Sequence, residues 1–444
     1  MRKPKWDPSK ELPDLKPAEP KRIEFDVTLI TRLFGGGAKP RSIDEISWLR
    51  SAAVKSAIRS WWRAGHAHEF ASIEALRVRE EKLFGAQARY GEKNKVLGGQ
   101  GILHVVVAPK TIATKEYREP AENPLNGAYF PALGMNRPVA MVGTPGTATT
   151  THVSLTLKPG APGALQEIDE QHILLGVKLW LTLGGAGART RRGAGALATS
   201  HTTAKKWKLP TTRDELRDFL RQHCARRPVP EKLAGVFSLA RTRSVWIGSE
   251  FVSSEEAHKK LLESMREARQ DRPHPSDWKR GDWGRSRWPE ADAIRFRAAR
   301  TPDGSEWSHV PRAENKNKYP RTALGLPIVV HFMTTTEKPS EPRDHRVYGA
   351  RPAGRHDWNK VERYASPILL RVVTVWRDGS PRYVPVALFT DCTLPPDTRP
   401  LVTRSENTSI DRRDVVEGYS IVDNANATLA RVEKKFQDAG FEKI

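Results

Sequence analysis

Apolar residues recur along the first half of the chain with a period of two in some segments and near 3.6 in others. The periods predict, in chain order, a strand at 22–31, a helix after the glycine loop at 35–37, a helix at about 73–83, strands at 103–108 and 152–157, a helix at 167–183 and a short final strand. Apart from one additional helix, this is the βαββαβ order of ferredoxin-like (RRM-like) domains. Residues 86–100 are predicted as loop and 109–150 as an insertion.

The second half mixes strands and helices less regularly. Its predicted elements are strands at 245–251, 326–332 and 368–375, helices at 253–269 and 425–439, and a hairpin with Asp378-Gly379 in its turn. This mixture permits a second ferredoxin-like domain without establishing one. The predicted organisation is a mobile N-terminal arm (1–21), a first domain (22–205), a connector with one helix (206–235) and a second domain (236–444).

Net charge narrows the class of partner. The 444 residues include 74 lysines and arginines against 52 aspartates and glutamates, which gives a formal net charge of +22. So large an excess favours a polyanion. Nucleic acid is favoured over a membrane surface, because the sequence has no long basic amphipathic helix. With 38% hydrophobic and 28% charged residues, the composition is that of a soluble globular protein.

The cysteines and the N-terminal segment indicate a cytoplasmic protein. Cys224 and Cys392 lie far apart and neither belongs to a CxxC motif, which argues against a zinc site or a disulfide framework. The N-terminal segment is polar and rich in proline, unlike a signal peptide. No apolar run reaches the ~18 residues that a membrane span needs. We therefore expect no membrane partner.

The stretch GGGAKPRSIDEISWLRSAAVKSAIRSWWR combines a glycine loop with a basic helix. Lys55, Arg59 and Arg63 recur every four residues and therefore share one helix face. An apolar stripe runs beside them, formed by Val54, Ile58 and Trp62. Ser51 is the expected N-cap and Gly65 the expected C-terminal stop. Like charges at this spacing repel one another and suggest an anionic partner; the alternative is a solvated face over a tryptophan-containing core.

A second glycine-rich stretch, GGAGARTRRGAGAL (184–197), carries three arginines among its glycines. Glycine backbone can form a nest of N–H groups for phosphate oxygens, and Arg189, Arg191 and Arg192 would add charge-assisted hydrogen bonds. The stretch lacks the GK[ST] ending of a Walker loop, and it follows a helix, whereas Rossmann glycines follow a strand. The alternative is a flexible surface turn.

Several phrases resemble the RAMP proteins of CRISPR systems, in particular the first RAMP subunits of the Cmr (type III-B) effector complex. In the first half they are TRLFGGGAKPRSIDEISWLR, SAAVKSAIRSWWRA, LRVREEKLFGA and the arginine-bearing glycine loop. In the second half they are PRTALGLPI (320–328) and RYASPILLR (363–371). The phrases are specific as a set, and they extend from residue 31 to residue 371.

The resemblance implies an α+β fold with two ferredoxin-like RAMP domains in tandem. It implies a non-catalytic subunit that holds the 3′ region of the guide (CRISPR) RNA and its duplex with target RNA, beside other Cmr effector subunits. In that family of complexes a repeated backbone subunit cleaves the target, and the large palm-domain subunit makes cyclic oligonucleotides. No cofactor is implied.

We expect the two glycine-rich stretches to form one cationic groove for RNA. In a ferredoxin-like sheet the first and last strands are neighbours, so the loop after the first lies beside the loop before the last. Phosphate contacts position RNA without reading its sequence, which suits a protein that accepts any guide. The residues predicted to bind RNA are Gly36, Lys39, Arg41, Arg50, Ser51, Lys55, Arg59, Arg63, Gly185, Gly187, Arg189, Arg191, Arg192 and Gly193.

No residue is assigned to catalysis or to metal binding. His66 and His68 follow the basic helix, but a metal site needs a third ligand and the sequence indicates none. His152, His201 and the pair His356-Asp357 likewise lack a predicted partner. Two other interpretations stay open, namely a metal-independent RAMP-type guide-RNA-processing endoribonuclease and a generic double-stranded RNA-binding protein.

Tryptophans alternate with basic residues at 272–300. Trp278, Trp283 and Trp288 could stack on the bases of single-stranded RNA while arginines hold the phosphates. We favour the alternative, in which these tryptophans fill a second core.

Overall fold

The structure is a computed structural model that describes residues 19–444 apart from short internal segments. The internal residues that it does not describe are 38, 40–41, 45, 91–95, 111–114, 118–138, 143–148, 159–165, 273–285, 299–306, 308, 331, 333–340, 343, 355–356 and 405–411. Most of the predicted arm, Arg41 and His356 therefore lie outside the described residues. Within the described residues, no helix is both long enough and apolar enough to span a membrane.

The first half alternates strands and helices much as the apolar periods predict. Its elements are β1 (Lys21–Leu29), β2 (Leu33–Phe34), α1 (Ser51–His66), α2 (Ile73–Phe84), β3 (Ala86–Tyr90), β4 (Val96–Gly99), β5 (Leu103–Val107), β6 (Lys115–Tyr117), β7 (Val139–Val142), β8 (Thr149–Leu157), α3 (Glu167–Leu183), β9 (Leu197–Ala198), α4 (His201–Lys206) and α5 (Arg213–His223). Those of the second half are β10 (Thr242–Ile247), α6 (Ser254–Gln270), α7 (Glu290–Ala298), β11 (Ile328–Val330), β12 (His345–Pro352), β13 (Trp358–Val361), β14 (Ile368–Arg377), β15 (Ser380–Thr390), β16 (Arg399–Arg404), α8 (Ala425–Asp438) and β17 (Glu442–Lys443).

The first sheet has the strand order β5–β8–β1–β9, and every neighbouring pair is antiparallel. Because α1 and α2 lie between β1 and β5, and α3 lies between β8 and β9, this is the predicted ferredoxin-like order. On β1, the buried Phe25, Val27 and Leu29 alternate with the exposed Glu24 and Asp26. The helices α1 and α3 cover the buried face and complete the first core.

The second sheet repeats this topology. Its order is β14–β15–β10–β17, again antiparallel throughout, with α6 between β10 and β14 and α8 between β15 and β17. The predicted hairpin is confirmed, because Arg377 pairs with Ser380 around Asp378 and Gly379. Both turn residues have positive φ, 51° and 75°, as a two-residue type I′ turn requires. The structure therefore contains two ferredoxin-like units in tandem.

The helix α3 lies between the two sheets and is buried on both sides. Val177 and Trp180 belong to the core beneath the first sheet, whereas Leu179 and Leu183 pack with apolar residues of β14 and β15. Most of the polar residues in its N-terminal half are exposed or partly exposed, and its C-terminal half is largely apolar on both faces, as expected for a helix covered on two sides. Helix α5, from the predicted connector, covers the same face of the second sheet through Leu216, Phe219 and Leu220. The connector is therefore packed into the interface between the units.

A third sheet lies outside the two ferredoxin-like units. In it β12 pairs with β11, β13 and β16. A fully buried carboxylate joins α7 to the phrase PRTALGLPI, because Glu290 accepts hydrogen bonds from the backbone N (2.6 Å) and from Nε (3.0 Å) of Arg321. This pairing gives the arginine of that phrase a structural role.

Three local predictions were wrong. Residues 86–100 contain the hairpin β3–β4. Arg50 is the N-cap of α1, and Ser51 is the first helical residue, whose Oγ accepts a hydrogen bond from the backbone of β5. Gly65 lies inside the helix and does not end it. The last two errors concern the ends of a helix, where the outcome depends on tertiary contacts more than on the local sequence.

Trp288 fills a core, as favoured from the sequence. It is 3% exposed, and its Nε1 donates a hydrogen bond to the carbonyl of Ala268 at 2.9 Å. The guanidinium of Arg431 lies 4.2 Å from the centre of its ring. Trp278 and Trp283 lie outside the described residues.

Candidate nucleic-acid interface

The loop after β1 and the loop before β9 meet, as predicted. The amide of Ala188 donates a hydrogen bond to the carbonyl of Phe34 at 2.7 Å. The backbones approach so closely that a Cβ on Gly36 would lie 3.0 Å from Cα of Gly187. Both glycines also have positive φ, 100° and 75°, which side chains rarely tolerate. The glycines thus allow one backbone surface to form from two distant parts of the chain.

The opposite side of the second glycine-rich loop (184–197) is hydrogen-bonded to the second unit. The carbonyl of Arg191 accepts a hydrogen bond from the amide of Leu370 at 2.9 Å, and that of Arg192 accepts one from Nε2 of His258 at 2.8 Å. The side chain of Arg191 donates from Nη1 to the carbonyl of Ser366 at 2.7 Å. The loop is therefore a joint between the two units, unlike the flexible turn considered as its alternative.

A cavity of about 410 Å³ lies between α1, the glycine loop and the second unit. Its walls are aromatic, formed by Trp48, Trp61, Trp180 and Phe237. The small and polar residues that line it include Ala53, Ser56, Ala57, Ser60 and Thr190. Among the described residues that line this cavity none is acidic, and two, Arg50 and Arg191, are cationic.

One of the two cationic groups of the cavity is held beside an aromatic ring. The guanidinium carbon of Arg191 lies 4.9 Å from the ring centre of Phe237, and Trp61 meets the same ring edge-on at 6.2 Å. Burial lowers the pKa of Arg191, yet a guanidinium keeps its charge at neutral pH. Arg50 donates a hydrogen bond from Nη2 to the carbonyl of Gly37 at 3.3 Å. Aromatic planes next to guanidinium groups are the surface that stacks bases and holds phosphates.

The structure brings some of the predicted RNA-binding residues together and separates others. Those that line the cavity are Gly36, Arg50, Gly185, Gly187 and Arg191. Lys39 is exposed on the first loop, and Arg189 and Arg192 are half-buried on the second. Gly193 is buried beneath His258, and a Cβ there would lie 3.0 Å from the imidazole.

The basic face of α1 turns towards α2 and away from the cavity. Arg59 and Arg63 both bind the carboxylate of Glu80, with Nε of Arg63 2.7 Å from Oε2 and a second bond from Nε of Arg59. Burial alone would raise the pKa of Glu80, but the hydrogen bonds from the two arginines outweigh it and lower the pKa. Burial and the nearby Arg59 lower the pKa of Lys55. The expected ridge of three cations facing the glycine loop is therefore not formed.

Three residues around this site were not predicted from the sequence, namely Trp48, Trp61 and Arg371. Arg371 is 2% exposed, and none of its three side-chain nitrogens has a hydrogen-bond partner within the described structure. Burial lowers its pKa to about 9. An arginine inside the apolar run ILLRVVTV was the signal that could have identified it. Trp61 gave no such signal, because tryptophan is common in cores and Trp62 already occupied the apolar stripe.

Three potential metal ligands lie close together at the end of α1. Within the described part of the chain, His66, Glu69 and His172 place ligand atoms within 4.8 Å of one another. The two imidazole rings are stacked, 4.0 Å apart and inclined by 17°, so their lone pairs do not converge on one point. Nδ1 of His172 also accepts a hydrogen bond from Trp62 at 3.3 Å, and burial lowers the pKa of His172 to about 4. Nδ1 of His66 lies 2.9 Å from the carboxylate of Glu69, so hydrogen bonds within the protein already account for the cluster.

The other described histidines considered from the sequence have polar or aromatic neighbours. They are His68, with Nε2 3.1 Å from a guanidinium nitrogen of Arg227, His152, with Nδ1 2.9 Å from Asp26, and His201, stacked on Trp376 at 5.2 Å. His152 and Asp26 lie on the exposed face of the first sheet. No general acid and base converge on the cavity from these residues.

Comparison with known proteins identifies the family to which this chain is similar. A family model described as the RAMP superfamily matches residues 26–198. The CRISPR system Cmr subunit Cmr1-2 of Pyrococcus furiosus is 32% identical over 190 residues, which cover 39% of this chain and 92% of that protein. The crystal structure of apo Cmr1 from Pyrococcus furiosus aligns with a TM-score of 0.45 and 15% identity, over 95% of this chain and 98% of that chain.

A cryo-EM structure of the type III-B Cmr-beta complex bound to cognate target RNA contains a chain that aligns with a TM-score of 0.42 and 10% identity, over 94% of this chain and all of that one. Family membership rests on the sequence matches. With 32% identity across 92% of a curated Cmr1 protein, and a match to the superfamily model, this chain belongs to the RAMP superfamily and, within it, to the Cmr1 family.

Proposed function

We propose that this protein is an RNA-binding structural subunit of a type III-B CRISPR (Cmr) effector. It holds the 3′ region of the guide RNA and its duplex with target RNA, next to other Cmr subunits, and cleaves neither strand. Membership of the Cmr1 family supports the type of complex. The observation that carries RNA binding is the cavity, in which two arginines and four aromatic side chains meet and no described lining residue is acidic.

The physical character of this site supports contact with the RNA backbone more than base-specific recognition. Guanidinium groups and glycine amides bind phosphate oxygens, which carry no sequence information. The net charge of +22 adds a long-range attraction for any polyanion. A guide-binding subunit needs this combination, because each guide differs in sequence.

Two measurements test the proposal. Co-expression with Cmr subunits and a guide RNA should yield a complex that contains this chain and the guide. Purified alone, the protein should bind two unrelated single-stranded RNAs with similar affinity, and log K should fall with log salt concentration by about 0.7 per phosphate contact. RNA binding that does not change between low and moderate salt would contradict an electrostatic interface.

The endoribonuclease alternative predicts a different result. Incubation of the purified protein with CRISPR repeat RNA in EDTA should leave the RNA intact if the protein only binds. A cut at a single site that disappears in His66→Ala, His68→Ala or His201→Ala would favour the endoribonuclease and overturn the non-catalytic role.

A further inference from the structure

We propose that the cavity holds one unstacked nucleotide of the bound RNA. Its base lies against Trp61 and Phe237, and its phosphate lies towards Arg50 and Arg191. The proposal rests on the RNA-binding function argued above and specifies what the site takes.

Two residues that line the cavity carry buried hydrogen-bond donors for which the described structure supplies no acceptor. Trp48 lines the cavity and is 4% exposed, and its indole Nε1 is buried with no hydrogen-bond partner in the described structure. Nε of Arg50 is in the same state. A buried N–H that lacks an acceptor is costly, and native structures seldom leave one without a ligand or water. Both nitrogens are closed to solvent, so a ligand reaches them only if the surrounding side chains shift on binding, and a nucleotide would then supply acceptors with its phosphate oxygens and base carbonyls.

Aromatic rings and a guanidinium group line part of the cavity. Trp61 and Phe237 meet at an interplanar angle of 87°, and the guanidinium of Arg191 lies over Phe237. Both kinds of surface stack unpaired bases in RNA-binding proteins. The volume of about 410 Å³ is within the range of small-ligand sites, roughly 300–1,000 Å³.

The helix α1 leaves room for this group. Ala53, Ser56, Ala57 and Ser60 all line the cavity and recur at helical spacing, so one face of α1 is formed by small side chains. The glycine-rich loop at 184–197 and residues of the second unit, Phe237 and Leu369, form other parts of its wall. A nucleotide that remains stacked in a helix could not enter, because its neighbours would have to enter with it.

An abasic scan of the RNA tests the proposal. A single-stranded RNA is prepared with one abasic nucleotide at each position in turn, and its affinity for the full-length protein is measured. One position, internal or at the 3′ end, should bind roughly 5- to 150-fold more weakly than the parent RNA, which corresponds to ~1–3 kcal/mol of base stacking. This loss should disappear in Ser56→Phe, which fills the cavity from an exposed position of α1.

Ala52→Phe is the matched control, since Ala52 is also exposed on α1 but does not line the cavity; it should keep the position-specific loss. Trp61→Ala provides a second variant and should also remove that loss. Equal effects of every abasic site on the wild type, or a position-specific loss that persists in Ser56→Phe, would overturn the nucleotide site while leaving RNA binding intact. A wild-type protein that binds none of the RNAs would instead overturn the proposed function.

Discussion

Gly185 lies directly against the guanidinium of Arg371. A Cβ on Gly185 would come within 2.7 Å of Nη1 of Arg371 and within 2.8 Å of the carbonyl oxygen of Gly195. The arginine belongs to β14 and the glycine to the loop after α3, so this contact joins the two ferredoxin-like units. The charge of Arg371 is buried without a carboxylate or carbonyl partner among the described residues.

We predict that Gly185→Ala destabilises the protein by about 1–3 kcal/mol, since the added methyl group overlaps a backbone oxygen that cannot easily move. Arg371→Met removes the second overlap and an unpaired buried charge, so the double variant should recover part of the loss. Urea unfolding of the two single variants and the double variant measures the coupling. A Gly185→Ala protein as stable as the wild type would show that the contact is not tight.

Glu80 should matter for stability and not for RNA binding. Glu80→Gln removes the charge that Arg59 and Arg63 share, and we expect a loss of about 1–2 kcal/mol, because Glu80 is buried while both arginines are more than a third exposed to screening solvent. The released arginines keep their charges, so RNA affinity should stay equal or rise. Urea unfolding and RNA titration on the same preparation check both parts. A marked fall in RNA affinity without a loss of stability would contradict this prediction and would indicate that Arg59 and Arg63 contribute to RNA binding.

The joint between the units should weaken in acid. Burial, followed by the neighbouring Arg371 and Arg32, lowers the pKa of His258 to about 4 from its ordinary 6.5, although its bond to the carbonyl of Arg192 opposes this. Between these values the unfolded chain binds more protons than the folded one, so stability rises with pH and is lost as the pH falls below 6.5. At pH 5 the loss from this one group is about 2 kcal/mol.

Comparison of the wild type with His258→Gln at pH 7 and pH 5 isolates this contribution. The glutamine can still donate a hydrogen bond to the loop but does not titrate, so its stability should fall less in acid. Part of the acid sensitivity should persist, because burial also lowers the pKa values of His172 and His223 to about 4. Equal losses in the two proteins would mean that His258 does not set the pH dependence.

The arginines of the glycine loop should bind RNA without regard to its sequence. Replacing Arg189, Arg191 and Arg192 with alanine should weaken binding of two unrelated RNAs to a similar degree, by roughly 1.5–3 kcal/mol if a charged hydrogen bond is lost. Adding Arg50→Ala should cost less than its effect alone, since Arg50 and Arg191 line one cavity and would share phosphates.

Arg59→Ala is the contrasting variant, because that side chain binds Glu80 and should change RNA affinity little. Circular dichroism and the thermal midpoint serve as folding controls, which matter because Arg191 also binds the carbonyl of Ser366. Unchanged affinity in the triple variant, or weaker binding to only one of the RNAs, would show that these arginines do not bind RNA independently of its sequence.

The secondary structure could be predicted wherever the pattern is local. The periodicity at 167–183 gave the bounds of α3, and Asp378-Gly379 gave the hairpin, because both depend on residues a few positions apart. The order of strands in the first sheet followed from the order of elements. The second sheet was less predictable, since the inserted segment between α6 and β14 separates its strands along the chain.

The site was only partly predictable because α1 has two regular faces. One is basic, with Lys55, Arg59 and Arg63, and the other is formed by small residues including Ser56 and Ser60. Nothing local indicates which face meets the glycine loop. The choice depends on Glu80, whose carboxylate comes from the next helix, 17 residues beyond Arg63. This pairing between two helices cannot be read from the local sequence. It explains why Arg59 and Arg63, predicted from their spacing to bind RNA, bind Glu80 in the structure.

The position of α3 between the two sheets has a consequence for how the chain unfolds. A break at 206–235 would leave Leu179 and Leu183 exposed on one fragment and the matching apolar face of β14 and β15 exposed on the other. Neither fragment would retain the burial that stabilises it, so we expect a single cooperative melting transition for the intact protein. The two halves, expressed apart, should aggregate unless they are mixed and reassociate, in spite of a topology that counts as two domains.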